Sequence, residues 1–272
     1  MRLWSCCLVP LLLATACVKP ADREPARQAP ASDGMKAAGG GDGDEDPKGG
    51  DDWEAPAPHE ERPGRAPRKH DVVIAPGSRL PVTVIHVVDA DTVTVETKEA
   101  APRVLKLRLA GINAPECHKK RARTARGKTS ASCVSDDEGH GHASYLHLKK
   151  LIDGKAVELT CKHLPGSSIC EQDRYRRLLA TLWDGATDVN KKLLEDGMAM
   201  AFTKYPHDDR AAYCEAELAA RAARRGLWKL APDVAGVLSL MSAKTRAWYK
   251  KHDDLCKAAS QEAKRATSSP AR

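Results

Sequence analysis

Two arginines and one glutamate have residue types and positions that suit chemistry at a phosphate group. Arg108 lies near the end of an alternating apolar run at 104–109, and Arg177 precedes a second apolar run at 178–183. Glu116 follows a proline in the turn that leaves the first run. A guanidinium presents a planar fork that matches two phosphate oxygens, and a carboxylate can orient or deprotonate an attacking water. Each residue alone could equally be a solvated surface side chain, but together they are candidates for hydrolysis of a phosphodiester.

A second acidic feature lies upstream, in the turn that contains Asp89 and Asp91. β-branched residues flank it at 82–88 and 92–97, which predicts two paired strands joined by this turn. If the turn is extended, both carboxylates point the same way and form one concentrated negative site. Calcium binds carboxylate, amide, carbonyl and water oxygens, so such a site suits that ion. Without further motifs, an ordinary Asp-rich hairpin turn is the simpler interpretation.

Three segments carry a resemblance to a known family. They are residues 87–93, residues 104–116 with the string Arg108-Leu-Ala-Gly-Ile-Asn-Ala-Pro-Glu116, and residues 173–179. In this order and spacing they resemble the staphylococcal nuclease (thermonuclease-like) family over roughly residues 80–230. The resemblance implies a calcium-dependent nuclease that hydrolyses DNA, with RNA as a further candidate substrate, by direct attack of water on phosphorus. It also implies products with a 3′-phosphate and a 5′-hydroxyl.

The same resemblance implies three groups of site residues. In the catalytic group, Arg108 and Arg177 clamp the phosphate, and Glu116 is the general base or the group that orients the water. The implied metal ligands, which all offer an oxygen atom, are Asp91, Asn113 and the backbone carbonyl of Ala114, with Asp89 in support. The implied substrate contacts are Arg174, Tyr175 and Tyr205.

The chain departs from the family pattern at three positions. Asn113 stands where the best-known member has Asp, which removes one formal charge and predicts weaker calcium affinity. Ala90 replaces the glycine between the two acids and is expected to tolerate that backbone conformation poorly. Thr203 lacks an aromatic ring next to Tyr205, which predicts weaker base stacking. The changes at Asn113 and Ala90 leave the reacting groups intact.

The hydrophobic pattern predicts the elements that position these residues. Alternating or β-branched runs predict five strands, at 82–88, 92–97, 104–109, 156–161 and 178–183. Near-helical spacing and terminal glycines predict helices at 143–152, 189–196 and 208–225, and a further helix at 237–257. The polar, glycine-containing segment 118–141 is predicted to be a loop. The predicted fold is therefore α+β and mainly β: a five-stranded Greek-key OB-type barrel with about three helices, plus a C-terminal helix.

The domain organisation follows from composition. Residues 1–17 have one positive charge and a short apolar run, which predicts an export signal. Residues 14–17 resemble a bacterial lipoprotein cleavage box in which Cys17 would carry the lipid, although an ordinary secretory signal remains the alternative. Residues 18–78 are rich in Pro, Gly and charge and predict a disordered linker. Residues 79–230 are the predicted barrel domain, and residues 231–272 a helical extension with a frayed tail.

The chain has nine cysteines, of which three lie in the export signal. The other six are an even set in a chain predicted to be exported, which indicates three disulfides. Proximity in the sequence favours Cys117–Cys133 and Cys161–Cys170, which leaves Cys214–Cys256. A zinc site is the alternative for the residues Cys117, His118, Cys133, His140 and His142, but they lack the usual ligand spacing.

The formal net charge of +7 suits an anionic partner such as nucleic acid. The basic segment 119–126 is a candidate for contacts with backbone phosphates, and we expect a monomer in the cell envelope or secreted. Two other functions stay open. One is a non-catalytic nucleic-acid-binding module on the same barrel, and the other is a surface structural protein whose C-terminal helix binds a partner.

Overall fold

A computed structural model of the chain describes residues 66–67, 71–123, 129–205 and 207–268. Its strands are β1 (Leu80–Val87), β2 (Thr92–Thr97), β3 (Val104–Leu109), β4 (Ile112–Asn113), β5 (Cys117–Arg123), β6 (Thr129–Asp136), β7 (Ala156–Cys161), β8 (Leu178–Asp184), β9 (Thr187–Asp188) and β10 (Met200–Ala201). Its helices are α1 (Gly141–Ile152), α2 (Val189–Glu195), α3 (Arg210–Ala222), α4 (Val234–Ser239), α5 (Ala243–Trp248) and α6 (His252–Ser268), with a 3-10 turn at Gly226–Lys229. Among the described residues, no helix combines the length and the apolar character needed to cross a bilayer. The predicted export signal, Cys17 and most of the predicted linker lie outside the described residues.

Five strands form a closed barrel in the order β3-β2-β1-β7-β8. Neighbouring strands are antiparallel except for β3 and β8, which pair in parallel and close the barrel. In β3, Leu107 and Leu109 are buried while Lys106 is exposed, which is the alternation expected of a strand with one face on a core. The predicted α+β fold with a five-stranded OB-type barrel is confirmed.

The segment predicted to be a loop at 118–141 is instead largely regular structure. Strands β5 and β6 pair as an antiparallel hairpin, with Cys117 opposite Asp136 and Lys119 opposite Cys133. The prediction was wrong because most side chains of this hairpin are polar, so the sequence shows no apolar alternation. Backbone pairing and the Cys117–Cys133 link support the hairpin, rather than burial of an apolar face.

Residues after the 3-10 turn form three short helices, α4, α5 and α6, rather than the single predicted helix at 237–257. Asp233 and Ser242 cap the starts of α4 and α5, since each side chain accepts a hydrogen bond from a backbone N–H three residues later. The cap at Ser242 explains the break between α4 and α5. Val237, Met241 and Tyr249 are buried with Trp228 in a second apolar cluster beside Met200. The extension therefore packs on the barrel domain through its own small core.

Residues 71–78, which composition assigned to the linker, lie against the barrel. Val72 and Ile74 are buried, and the Ile74 N–H donates to the Ser168 carbonyl at 3.1 Å. These two apolar side chains are too few to alter the composition of the preceding stretch, so composition does not distinguish residues 71–78 from it.

The three cysteine pairs agree with the pairing predicted from sequence proximity. Cys117–Cys133, Cys161–Cys170 and Cys214–Cys256 have Cα–Cα separations of 5.6, 5.5 and 5.4 Å, within the range of disulfides. The third pair joins α3 to α6 and closes a loop of 42 residues. It therefore fastens the extension to the barrel domain.

Removing this third disulfide is expected to weaken the fold. We expect the double variant Cys214→Ala/Cys256→Ala to lose about 2–4 kcal/mol of unfolding free energy, because the unfolded chain regains the entropy of an open loop. Urea denaturation followed by circular dichroism measures the loss. An unfolding midpoint equal to that of the wild type under non-reducing conditions would show that this pair does not stabilise the native state.

Candidate active site

The side chains of Arg108 and Arg177 contact two consecutive residues, Asp91 at the end of the acidic turn and Thr92 at the start of β2. Thr92 pairs with Arg108 in the antiparallel β2–β3 ladder, while the parallel β3–β8 pairing brings the segment before β8 to the same end of the barrel. Arg108 Nη1 lies 2.9 Å from Asp91 Oδ2, and Arg177 Nη1 donates to Thr92 Oγ1 at 3.1 Å. Thr92 Oγ1 in turn donates to Asp91 Oδ1 at 3.1 Å. Both guanidinium groups therefore border one carboxylate.

The acidic turn is compact and largely buried. Asp89 and Asp91 are 6% and 8% exposed, and the Asp91 N–H donates to Asp89 Oδ1 at 3.1 Å. Ala90 between them is buried and does not have a positive backbone φ. The expected strain at Ala90 is thus not found, because this turn does not need the left-handed conformation that favours glycine.

The predicted metal-binding residues of the loop after β3 lie beside this turn. Arg108 Nη2 donates to Asn113 Oδ1 at 2.8 Å, and the Ala114 N–H donates to Asp91 Oδ2 at 3.2 Å. Asn113 and Ala114 are both buried. The structure therefore brings together the four residues predicted to bind calcium, with Arg108 fixed between them.

Lys119 joins Glu116 to the acidic turn. Its Nζ lies 2.7 Å from Asp89 Oδ2 and 3.4 Å from Glu116 Oε2. Glu116 has a half-exposed carboxylate, consistent with access to solvent and substrate. The sequence singled out Lys119 only as part of a basic segment, because its pairing with Asp89 depends on the hairpin that begins at Cys117.

The electrostatics of the turn follow from these contacts. Burial, with the nearby charges of Asp89 and Glu116, raises the pKa of Asp91 from 3.8 to about 7 despite the Arg108 guanidinium. Burial also disfavours the charge on Asp89, but the ammonium of Lys119 outweighs it and lowers the pKa of Asp89. Lys119 has a raised pKa, since its carboxylate partners outweigh its own burial.

This donor set fits calcium. The carboxylates of Asp89, Asp91 and Glu116 outnumber the two cationic side chains paired with them, Arg108 and Lys119. Arg177 also borders Asp91 but is paired with Asp173, so a negative charge is left over. The candidate donors, which belong to Asp89, Asp91, Asn113 and Ala114, are hard oxygen atoms, which calcium prefers. Asp91, Asn113, the Ala114 carbonyl and Asp89 are the residues that would hold the ion.

The stability of the metal-free protein should depend on pH through Asp91. Because its native pKa of about 7 exceeds the ordinary 3.8, the native state holds one more proton than the unfolded chain between these values. The unfolding free energy is therefore expected to fall as the pH rises from about 4 to 7. The lowered pKa of Asp89 acts below this window, where its contribution is lost as pH falls.

Urea titrations in chelator across this range measure the effect, with Asp91→Asn as the comparison. The asparagine variant should lose most of the decrease between these pH values, because it has no proton to release. Parallel pH curves for the two proteins would contradict the assignment to Asp91.

The predicted substrate contacts lie next to Arg177. The Arg174 guanidinium lies 4.7 Å from the ring centroid of Tyr175, and that of Arg177 lies 5.4 Å from it. Tyr175 is 58% exposed, so its ring is available to a ligand. Partial burial raises the pKa of Tyr205, and the nearby positive charge of Arg174 opposes this increase only in part.

An additional aromatic ring, missed by sequence reasoning, lies on this side. Trp248 of α5 contacts Phe202 edge to face with ring centroids 5.6 Å apart, and Phe202 contacts Tyr205 at 5.5 Å. Lys204 Nζ is 5.6 Å from the ring centroids of both Tyr205 and Trp248. The position lacking a ring, Thr203, is buried and faces inward. The extension thus adds an aromatic side chain where the sequence predicted a deficit.

The zinc alternative is not supported. Cys117 and Cys133 pair with each other, which removes the thiolates that zinc would need. Cys161, His163 and Cys170 also lie close together, but there too the two cysteines form a disulfide.

Part of the chain is similar to a known protein family. Residues 106–230 match the model of the family described as staphylococcal nuclease homologue. Over these residues the chain is similar to staphylococcal nuclease homologues. The matched region includes Arg108, Glu116 and Arg177, whereas β1, β2 and the acidic turn precede it. The helices α4–α6 follow it.

Two curated relatives match a larger part of the chain. A Haemophilus influenzae protein named "Uncharacterized endonuclease" is 32% identical over 145 residues, which are 53% of this chain and 64% of that protein. A Capnoides sempervirens protein named "Uncharacterized 38.1 kDa protein" is 26% identical over 176 residues, which are 55% of this chain and 52% of that protein. The chain therefore spans between half and two thirds of the length of these relatives.

Proposed function

We propose that this chain is a calcium-dependent nuclease that hydrolyses phosphodiester bonds of DNA, and of RNA as a second substrate. The observation that carries the proposal is the convergence of Arg108 and Arg177 at Asp91 and Thr92, with Glu116 joined to the same turn through Lys119. The match of residues 106–230 to the staphylococcal nuclease family and the endonuclease name of the Haemophilus influenzae relative support it.

In the proposed reaction, Glu116 orients a water molecule and accepts its proton as the water oxygen attacks phosphorus. The new P–O bond forms as the bond to the 5′ oxygen breaks, and that oxygen takes a proton from solvent. Arg108 and Arg177 donate hydrogen bonds to the phosphoryl oxygens, whose negative charge increases in the transition state. Bound calcium would supply further positive charge beside the phosphate.

Arg174, Tyr175 and Tyr205 are proposed to hold the nucleotide next to the scissile bond. Exposed aromatic rings beside cationic side chains bind single strands without strong sequence preference, because every base has a face that can stack. The half-buried Trp248, which packs against Phe202, is proposed to extend this surface. We therefore propose single-stranded nucleic acid as the preferred substrate.

We also propose that the protein acts as a monomer outside the cytoplasm, either secreted or held at the cell envelope by a lipid on Cys17. The three cysteine pairs support an oxidising compartment.

The experiment that tests the function is incubation of labelled single-stranded DNA, duplex DNA and RNA with the protein, in calcium or in chelator. We expect shortened products in calcium and intact substrate in chelator, because the acidic turn is incompletely neutralised without the ion. Retarded but uncut DNA in calcium would instead support a non-catalytic binding module. The Asp91→Asn variant should need more calcium for the same rate.

A further inference from the structure

Glu138 is a buried carboxylate that connects the candidate active-site loop to the C-terminal extension. It is 3% exposed and lies just after the hairpin strand β6. Its Oε2 accepts a hydrogen bond from the backbone N–H of Glu116 at 3.0 Å. Its Oε1 accepts from the Ser242 N–H and from Thr245 Oγ1, both at 2.8 Å. Each oxygen thus serves a different part of the chain.

A buried carboxylate such as that of Glu138 needs hydrogen-bond donors. Hydrogen bonds to a buried charged group are stronger than neutral ones, and a buried charge that loses its donors is costly. Glu138 therefore keeps its position only while Ser242 and Thr245 supply donors from the start of α5. The backbone of Glu116 is held in the same way, since its carbonyl also accepts from the Glu138 N–H at 2.9 Å.

The extension contacts the other end of the same loop independently. Tyr249 is buried, and its hydroxyl lies near the Asn113 side chain without a hydrogen bond of ordinary geometry. His252 pairs with Glu217 at 2.8 Å, and Glu217 accepts a hydrogen bond from the Ala201 N–H at 2.7 Å. Strand β10, which contains Ala201, pairs with β4. Residues 112–116 are thereby supported by the extension at both ends.

We propose that the extension, residues 231–268, is a positioning element of the active site, and that Glu138 and Thr245 are positioning residues that hold Glu116. The proposal rests on the proposed function, in which Glu116 orients the attacking water. The extension lies outside the part of the chain that matches the nuclease family. The position of Glu116 in this chain therefore depends on contacts from residues that lie outside the matched region.

The test uses Thr245→Val in the 272-residue chain. Valine keeps the shape of threonine and removes the hydroxyl that donates to Glu138 and also contacts Ser242 Oγ at 3.0 Å. Glu138→Gln is the second variant, because three groups donate to the Glu138 carboxylate. The amide NH2 of glutamine would face either the Glu116 N–H or the donors of Ser242 and Thr245. Thr245→Ser keeps the hydroxyl and should restore wild-type behaviour. Ser239→Ala is the matched control, as Ser239 is exposed on the same extension and bonds only to the Gly236 carbonyl among its described partners.

Two readouts are measured well below the unfolding temperature. Hydrogen exchange should become faster at the Glu116 amide in Thr245→Val and Glu138→Gln, while amides of β1 and β7 keep wild-type rates. In calcium, kcat for single-stranded DNA should fall by about tenfold or more, with KM unchanged, because Glu116 is misplaced relative to the water. Thr245→Ser and Ser239→Ala should match the wild type in both readouts.

Wild-type exchange at Glu116 in both Thr245→Val and Glu138→Gln would overturn the proposal, as would faster exchange that extends equally through the barrel. A variant that does not fold would show fast exchange throughout the barrel and would therefore also overturn the proposal. Exchange does not need catalysis, so failure of the wild type to cleave DNA would refute the nuclease while leaving this test intact. Cleavage by the wild type with unaltered kcat in both variants would refute the positioning role alone.

Discussion

Glu116→Gln is expected to lower kcat for cleavage of single-stranded DNA by about 10²–10⁴-fold, the usual contribution of a general base. Glutamine keeps the shape of the side chain but cannot accept the proton of the attacking water. KM should change little, because Glu116 acts on the water and not on the bound nucleotide. The loss should persist at saturating calcium, since Glu116 is not among the residues proposed to bind the ion.

The matched control for this variant is Glu99→Gln, which removes an exposed carboxylate paired with Arg103 on the turn between β2 and β3. It should retain wild-type kcat. Initial rates with a labelled oligonucleotide and thermal melts of each variant separate a catalytic loss from an unfolded protein. A folded Glu116→Gln variant with undiminished kcat would show that another group activates the water.

Arg177→Ala should reduce kcat by about 10²–10³-fold, the effect of removing one preorganised donor to a developing negative charge. Arg177 is preorganised by Asp173, whose Oδ2 lies 2.7 Å from Nε and 2.6 Å from Nη2. A third contact, from Nη1 to Thr92 Oγ1, orients the guanidinium group toward the acidic turn. Arg177→Lys should restore little of the rate, because an ammonium cannot bond two phosphate oxygens in one plane.

Single-turnover rates for both Arg177 variants measure this loss, with Arg103→Ala as the control. Arg103 forms an exposed ion pair with Glu99, so its removal should leave the rate unchanged. Full activity in Arg177→Lys would show that only a positive charge is needed at this position. That result would refute the two-fork clamp while leaving the role of Glu116 untouched.

Whether the effects of two substitutions on the rate add depends on whether the two side chains are in contact. Arg108, Asp91, Thr92 and Arg177 form a continuous chain of contacts, so changes at neighbouring members are not expected to add. Glu116 joins this chain only through Lys119 and Asp89. Combining Glu116→Gln with Arg177→Ala should therefore show how strongly the two act as a unit.

Much of the site could be predicted from local sequence. The alternation in β3 determines that Arg108 lies on the face opposite Leu107 and Leu109, since successive strand residues point to opposite sides. The family resemblance then named the residues that the structure brings together, including Asp91 and Arg177. The cysteine pairing was also predictable, because two of the three pairs are close in the sequence.

Other features were decided only by the tertiary structure. The β5–β6 hairpin has polar side chains and no apolar period, so pairing of the two backbones, not composition, makes it regular. Lys119 reaches Asp89 because this hairpin folds over the acidic turn. The sequence alone does not distinguish Lys119 from the other basic residues of segment 119–126.

The sequence by itself determined the barrel, its disulfides and the residue types of the candidate site, because these depend on short-range periodicity and on recognisable strings. Only the tertiary structure decided that the C-terminal residues complete that site. Glu138 and Thr245 are 107 residues apart, and His252 and Glu217 are 35 apart. Neither pair has a local signal, since a buried carboxylate acquires its partners only when distant segments pack and exclude water.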